Sequence, residues 1–127
     1  MPTQLLKFIG KLHNLETLDI RRTYVKEMPK EIRKLRKLRH LLVDDEELSQ
    51  LRNGLGGMTS LQTLSRVKLT IDDDGVELSR ELGMLTQLRN LGLNYVKKEQ
   101  GSALFASINE MKNLEKLHIQ TIGVEVI

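Results

Sequence analysis

Leu12-His13-Asn14-Leu15-Glu16-Thr17-Leu18-Asp19-Ile20 decides how the rest of this 127-residue chain is read. Its apolar letters stand at Leu12, Leu15, Leu18 and Ile20. The phrase returns as Leu35, Leu38, Leu41 and Val43, as Met58, Leu61 and Leu64, as Leu85, Leu88, Leu91 and Leu93, and as Met111, Leu114, Leu117 and Ile119. Successive starting points are 23, 23, 27 and 26 residues apart. A period of this length marks a solenoid, because one unit is too small to bury its own apolar face and must stack on its neighbours. Within each phrase the last apolar letters alternate with polar ones, the period of a half-buried strand. Strands are therefore expected near residues 16–20, 39–43, 62–66, 89–93 and 115–119. Each is entered at the same phase of its repeat, so the strands must run parallel, with the return segments covering the opposite side. The third phrase departs from the rule. Its last apolar site is taken by Arg66, while Val67, Leu69 and Ile71 alternate just after it, which predicts a bulge or a longer extended arm.

The return segments set what the other side can hold. Between Ile20 and Leu35 there is room for turns and a short 3-10 piece, with Pro29 disfavouring a helical Met28. Val76, Leu78 and Leu82, and then Leu104, Phe105 and Ile108, fall at helical spacing and predict two short helices, the second with Ser102 as its N-cap. The expected fold is an α/β horseshoe arc: about five short parallel strands on the concave face, and turns, 3-10 pieces and two short helices on the convex face. It forms a single domain over residues 1–127.

Composition narrows the functions. At 39% hydrophobic and 29% charged, the chain is long enough for one continuous core, and with only 3% aromatic residues that core must be aliphatic. No cysteine is present, which excludes disulfides, thiolate metal sites and a cysteine nucleophile, and favours a reducing compartment. No apolar run is long enough for a signal peptide or a membrane span. Asp72-Asp73-Asp74-Gly75 lacks the spaced ligands and distal Glu of a calcium loop and reads as a turn before a helix. His13, His40 and His118 fall in different repeats or columns, and no nucleophile-elbow sequence occurs. No catalytic, cofactor-binding or metal-ligating residue is expected, and the chain does not read as an enzyme.

Function should then sit where outward strand positions of successive repeats form columns. One column holds Thr17, His40, Thr63, Asn90 and Lys116; the next holds Asp19, Leu42, Ser65, Gly92 and His118; and beyond the strands lie Arg21, Arg22, Asp44, Asp45, Asn94 and Tyr95. The candidate partner-binding set is Arg21, Arg22, His40, Leu42, Asp44, Asn94, Tyr95 and His118. Leu42 is its centre, an apolar side chain ringed by His40, Arg21 and Asp44; the alternative is that Leu42 packs on a neighbouring loop. Basic residues crowd between Lys26 and Arg39, and Arg33, Lys34, Arg36 and Lys37 form a candidate docking patch for an acidic protein surface. The same run could bind nucleic acid or acidic phospholipid, but the net charge is only +3 and no stacking aromatics interleave with it. A third reading is a repeat spacer with no surface of its own.

The wording between the leucines adds a resemblance. Ile9-Gly10-Lys11-Leu12-His13-Asn14-Leu15-Glu16-Thr17-Leu18-Asp19-Ile20, Thr23-Tyr24-Val25-Lys26-Glu27-Met28-Pro29-Lys30-Glu31-Ile32, Leu35-Arg36-Lys37-Leu38-Arg39-His40-Leu41 and Ser60-Leu61-Gln62-Thr63-Leu64-Ser65 resemble the leucine-rich repeats of plant coiled-coil, nucleotide-binding disease-resistance proteins, cereal members above all. The resemblance implies a protein-interaction module of an intracellular immune receptor, acting in effector recognition or autoinhibition. Its partners would be a pathogen effector, a guarded host protein or the receptor's own nucleotide-binding domain, in the cytoplasm or also the nucleus. ADP or ATP would belong to that other domain, since no Gly-x-x-x-x-Gly-Lys-Ser/Thr loop occurs here. The chain opens inside a return segment and closes on Gly123-Val124-Glu125-Val126-Ile127 with no polar capping unit, so it reads as a piece lacking both caps, with ends open to self-association.

Overall fold

The computed structural model describes residues 8–23, 29–44, 54–68 and 76–121; Met28, Asp45, Leu69, Ile71 and the Asp72–Gly75 turn lie outside them. Five strands, β1 (Thr17–Asp19), β2 (His40–Leu42), β3 (Thr63–Lys68), β4 (Asn90–Val96) and β5 (Lys116–Thr121), form one parallel sheet in chain order. The register places Thr17 beside His40, His40 beside Thr63, Thr63 beside Asn90 and Asn90 beside Lys116, so the first column is continuous. The return segments carry 3-10 turns at Lys30–Lys34 and Leu55–Gly57 and two helices, α1 (Val76–Leu82) and α2 (Lys98–Asn109). Among the described residues no helix is long and apolar enough to cross a membrane.

Two hydrogen-bond devices repeat with the phrase. The opening N–H of each, at Leu12, Leu35, Met58, Leu85 and Met111, donates to the carbonyl three residues earlier, at 2.9 or 3.0 Å, and so turns the chain from return segment to strand. One carbonyl per repeat then accepts two N–H groups from the next: Glu16 from Arg39 and His40, Arg39 from Gln62 and Thr63, Gln62 from Arg89 and Asn90, Arg89 from Glu115 and Lys116. Below this ladder the phrase leucines interdigitate. Ile20, Leu35, Leu38, Leu41, Met58 and Leu61 are wholly buried in one continuous core. Leu12 and Leu117 differ from that expectation, being 54% and 40% exposed, because the outermost repeats have a described neighbour on one side only.

The irregularity at Arg66 is a bulge. Leu64 pairs with Leu91 and Val67 with Leu93, so Ser65 and Arg66 together face Gly92, and Val67 takes the buried place that Ile20 and Val43 fill in earlier repeats. Arg66 reaches this through a left-handed backbone, φ 49°. The bulged strand leaves no room opposite: a Cβ on Gly92 would lie 2.7 Å from the Arg66 nitrogen. A second bulge follows one strand on, where Leu93 pairs with Ile119 and Val96 with Thr121 and Tyr95 has φ 61°.

The second helix departs from the reading of its start. It begins at Lys98, so Ser102 lies inside it, and the Gln100 side chain reaches back 2.8 Å to accept the Lys97 N–H. Its buried face is Gln100, Leu104 and Ile108 at four-residue spacing, which turns Phe105 partly outward at 38% exposure. The helices are joined by the Ser107 hydroxyl, which donates to the Ser79 carbonyl at 2.9 Å.

Candidate functional site

Two adjoining hollows open on the strand face. The first, about 550 Å³, lies over β1 to β3 and is walled by Asp19, Arg21, Arg22, Leu42, Asp44, Ser65 and Arg66. Leu42 is half-buried in it. Around this apolar centre the charges are held by defined contacts. Arg21 grips Asp19 through two bonds, Nε to Oδ1 at 2.9 Å and Nη2 to Oδ2 at 2.8 Å. That guanidinium, with the Arg21 backbone N–H, lowers the Asp19 pKa to about 2, and the carboxylate raises that of Arg21 in return, so both stay charged. Asp44 bridges outer repeats: Oδ2 accepts the Arg22 N–H at 3.1 Å, where φ is 64°, and Oδ1 pairs with Arg66 Nη1 at 3.2 Å. Three arginines and two aspartates thus ring one leucine.

The second hollow, about 310 Å³, spans β3 to β5 and shares Ser65 and Arg66 with the first. Thr63, Asn90 and Lys116 line one side, and Gly92 and His118 the other. His40 approaches from the neighbouring strand, its Nδ1 2.9 Å from the Thr63 hydroxyl, which also lies 3.4 Å from Asn90 Nδ2. His40 therefore braces the polar column, while His118 is an exposed wall residue.

Of the eight partner-binding candidates, Arg21, Arg22, Leu42 and Asp44 meet in the first hollow and His118 lines the second. Tyr95 is exposed at the β4 bulge outside both. Asn94, expected on the concave surface, is fully buried instead, because the β4 bulge places two residues where the pleat predicts one and shifts the side that each faces. Arg66 was missed as a wall residue; its signal was a charged letter at a position that is apolar in four of the five phrases.

The basic patch is partly structural. Arg33, Lys34 and Arg36 border a hollow of about 690 Å³ with Lys30, Glu31 and Gly54, whereas Lys37 turns away to donate to Asn14 Oδ1 at 3.0 Å. Arg33 Nε donates to the Lys30 carbonyl at 3.1 Å and Arg36 Nη1 to the Gly57 carbonyl at 2.8 Å.

The sequence matches the family described as leucine-rich repeat region over residues 1–126. It is similar to disease resistance protein RGA5 of Oryza sativa subsp. japonica, 31% identical over 131 residues that cover 98% of this chain and 11% of that protein. It is also similar to disease resistance proteins Pik-2 and Pikm2-TS of the same organism, each 26% identical over 150 residues that cover 91% of this chain and 14% of theirs. The chain spans about a seventh or less of the length of these relatives.

Proposed function

The chain belongs to the leucine-rich repeat region family, and from that premise we propose that it is a protein-interaction module of an intracellular plant immune receptor. It takes part in recognising a pathogen effector or guarded host protein, or in holding the receptor's own nucleotide-binding domain at rest. The observation that carries this reading is the first hollow, where Leu42 is ringed by arginines and aspartates fixed on a rigid parallel sheet. An apolar centre with a charged rim is the anatomy of a protein contact, and rim charges already oriented by Asp19 and Asp44 lose little freedom on binding. A ligand that prefers the released receptor would shift its equilibrium by the difference in affinity for the two states. The Arg33, Lys34 and Arg36 surface offers a second contact, for an acidic face of the same receptor.

The test places Leu42→Glu in the receptor that carries this segment and expresses it in leaf tissue. A charge at the centre of the contact should weaken partner binding tenfold or more. The result is lost pathogen-triggered cell death or spontaneous cell death, at unchanged protein accumulation. Wild-type behaviour in both assays sinks the proposal.

A further inference from the structure

We propose that the second hollow is a subsite for an apolar side chain of an extended partner segment, one that carries a carboxylate within two residues of it. This rests on the protein-interaction reading and specifies the chemistry of the partner. The floor of the hollow follows from the fold. Since a Cβ at position 92 would strike the Arg66 backbone, the sheet has bare backbone there, flanked by the side chains of neighbouring columns. The lining is mostly carbon, from the backbone around Leu64, Leu91 and Gly92 and the stems of the wall residues. At about 310 Å³ the space sits at the small end of ligand sites, typically about 300–1,000 Å³. One large apolar side chain enters it with room to spare.

Charge selects the occupant. Lys116 and His118 stand next to each other's columns on β5, both exposed, and neither forms an ion pair with a described residue. The adjacent Glu115 lies 3.8 Å from Arg89, and Asp44 is engaged by Arg66 on the other side of the bulge. Lys116 therefore gives the β5 wall a positive charge that no described acidic residue pairs with, His118 adds a ring nitrogen for hydrogen bonding, and an acidic group on a partner completes the wall. Neighbouring strands lie roughly 4.8 Å apart, a distance that an extended chain crossing them covers in one to two residues at about 3.3 Å each. This spacing puts the carboxylate within two residues of the inserted side chain. A phosphate backbone would satisfy Lys116 but leave the carbon floor uncovered, and the walls present no Phe, Tyr or Trp ring for a base to stack on.

The experiment selects phage-displayed random peptides on the full 127-residue chain. Enriched peptides should carry Leu, Ile, Met or Phe within two residues of Asp or Glu, and a synthetic copy of the best should bind in fluorescence anisotropy. The double variant Lys116→Glu and His118→Glu, at two exposed sites, should keep the circular dichroism of the parent and weaken that peptide at least tenfold. Lys112→Glu, which lies away from the hollow, should leave binding unchanged. No enrichment, or enrichment of peptides without acidic residues, overturns the subsite. So does binding that survives the double variant; if Leu42→Glu abolishes that same binding, the interaction-module reading stands while this subsite falls.

Discussion

A Cβ built on Gly92 would stand 2.7 Å from the Arg66 nitrogen, and that nitrogen belongs to a bulge pinned on one side by the Leu64–Leu91 pairing and on the other by Val67–Leu93. Gly92→Ala should therefore cost about 1–3 kcal/mol, as overpacking against backbone does. Gly83→Ala is the internal control, because its Cβ would meet nothing nearer than 3.4 Å; it should change stability by less than about 0.5 kcal/mol. Urea unfolding with equal slopes checks both, and an equal midpoint for the two variants would mean that the bulge can move aside. The disturbance itself was legible in the sequence, since Arg66 stands where the phrase wants an apolar residue and Val67 follows it. What the bulge does to the surface was not. Periodicity is a property of one strand, whereas the bareness of Gly92 and the place of Arg66 between two hollows depend on register with a strand 27 residues away.

Among the elements, α1 is tied to the repeat before it by a carboxylate. Glu81 is 4% exposed, and its Oε1 accepts the buried Gly56 N–H of the preceding 3-10 turn at 3.0 Å while its Oε2 lies 3.4 Å from Arg80 Nη1. Removing the acceptor strands a buried donor, so Glu81→Ala should cost about 1–3 kcal/mol. Glu81→Gln keeps an oxygen in reach of Gly56 and should lose clearly less. Chemical denaturation of the two variants separates the hydrogen bond from the charge, and an equal loss would assign the effect to the Arg80 pair instead. A glutamate inside a short helical run looks solvated in the sequence, and only the stacking of turn on helix shows that it faces inward. The start of α2 was hidden for a related reason: Lys97 is a poor cap by residue type, and the helix is closed there by Gln100 reaching back. By contrast, the five strands, their order and the Thr17, His40, Thr63, Asn90, Lys116 column followed from the leucine spacing alone, because every repeat must present the same face to its neighbours.

For the whole molecule, stability is a sum of repeats and the interfaces between them, so the same chemical change should cost different amounts at the middle and at the rim of the stack. Leu41 and Leu117 occupy the same position of the phrase. Leu41 is wholly buried, with Leu18 and Leu64 beside it on the flanking strands, whereas Leu117 pairs only with Leu91 among the described residues and is 40% exposed. Leu41→Ala should cost about 2–5 kcal/mol through lost burial and the cavity left behind. Leu117→Ala removes atoms that still touch water and leaves an open dent, not a cavity, so its loss should be well under half of that. Hydrogen exchange gives the same ordering without mutation: amides of β2 and β3 should exchange through global unfolding and those of β5 through local fraying. If both leucines cost the same in unfolding experiments at micromolar concentration, the face carrying Leu117 must be covered in solution. The covering surface would then be a second copy of the chain offering the apolar Phe8 and Leu12 rim, 63% and 54% exposed. In that case the Leu117→Ala penalty, and the melting temperature with it, would fall on dilution. A penalty independent of concentration, and small, is the outcome that the open rim requires.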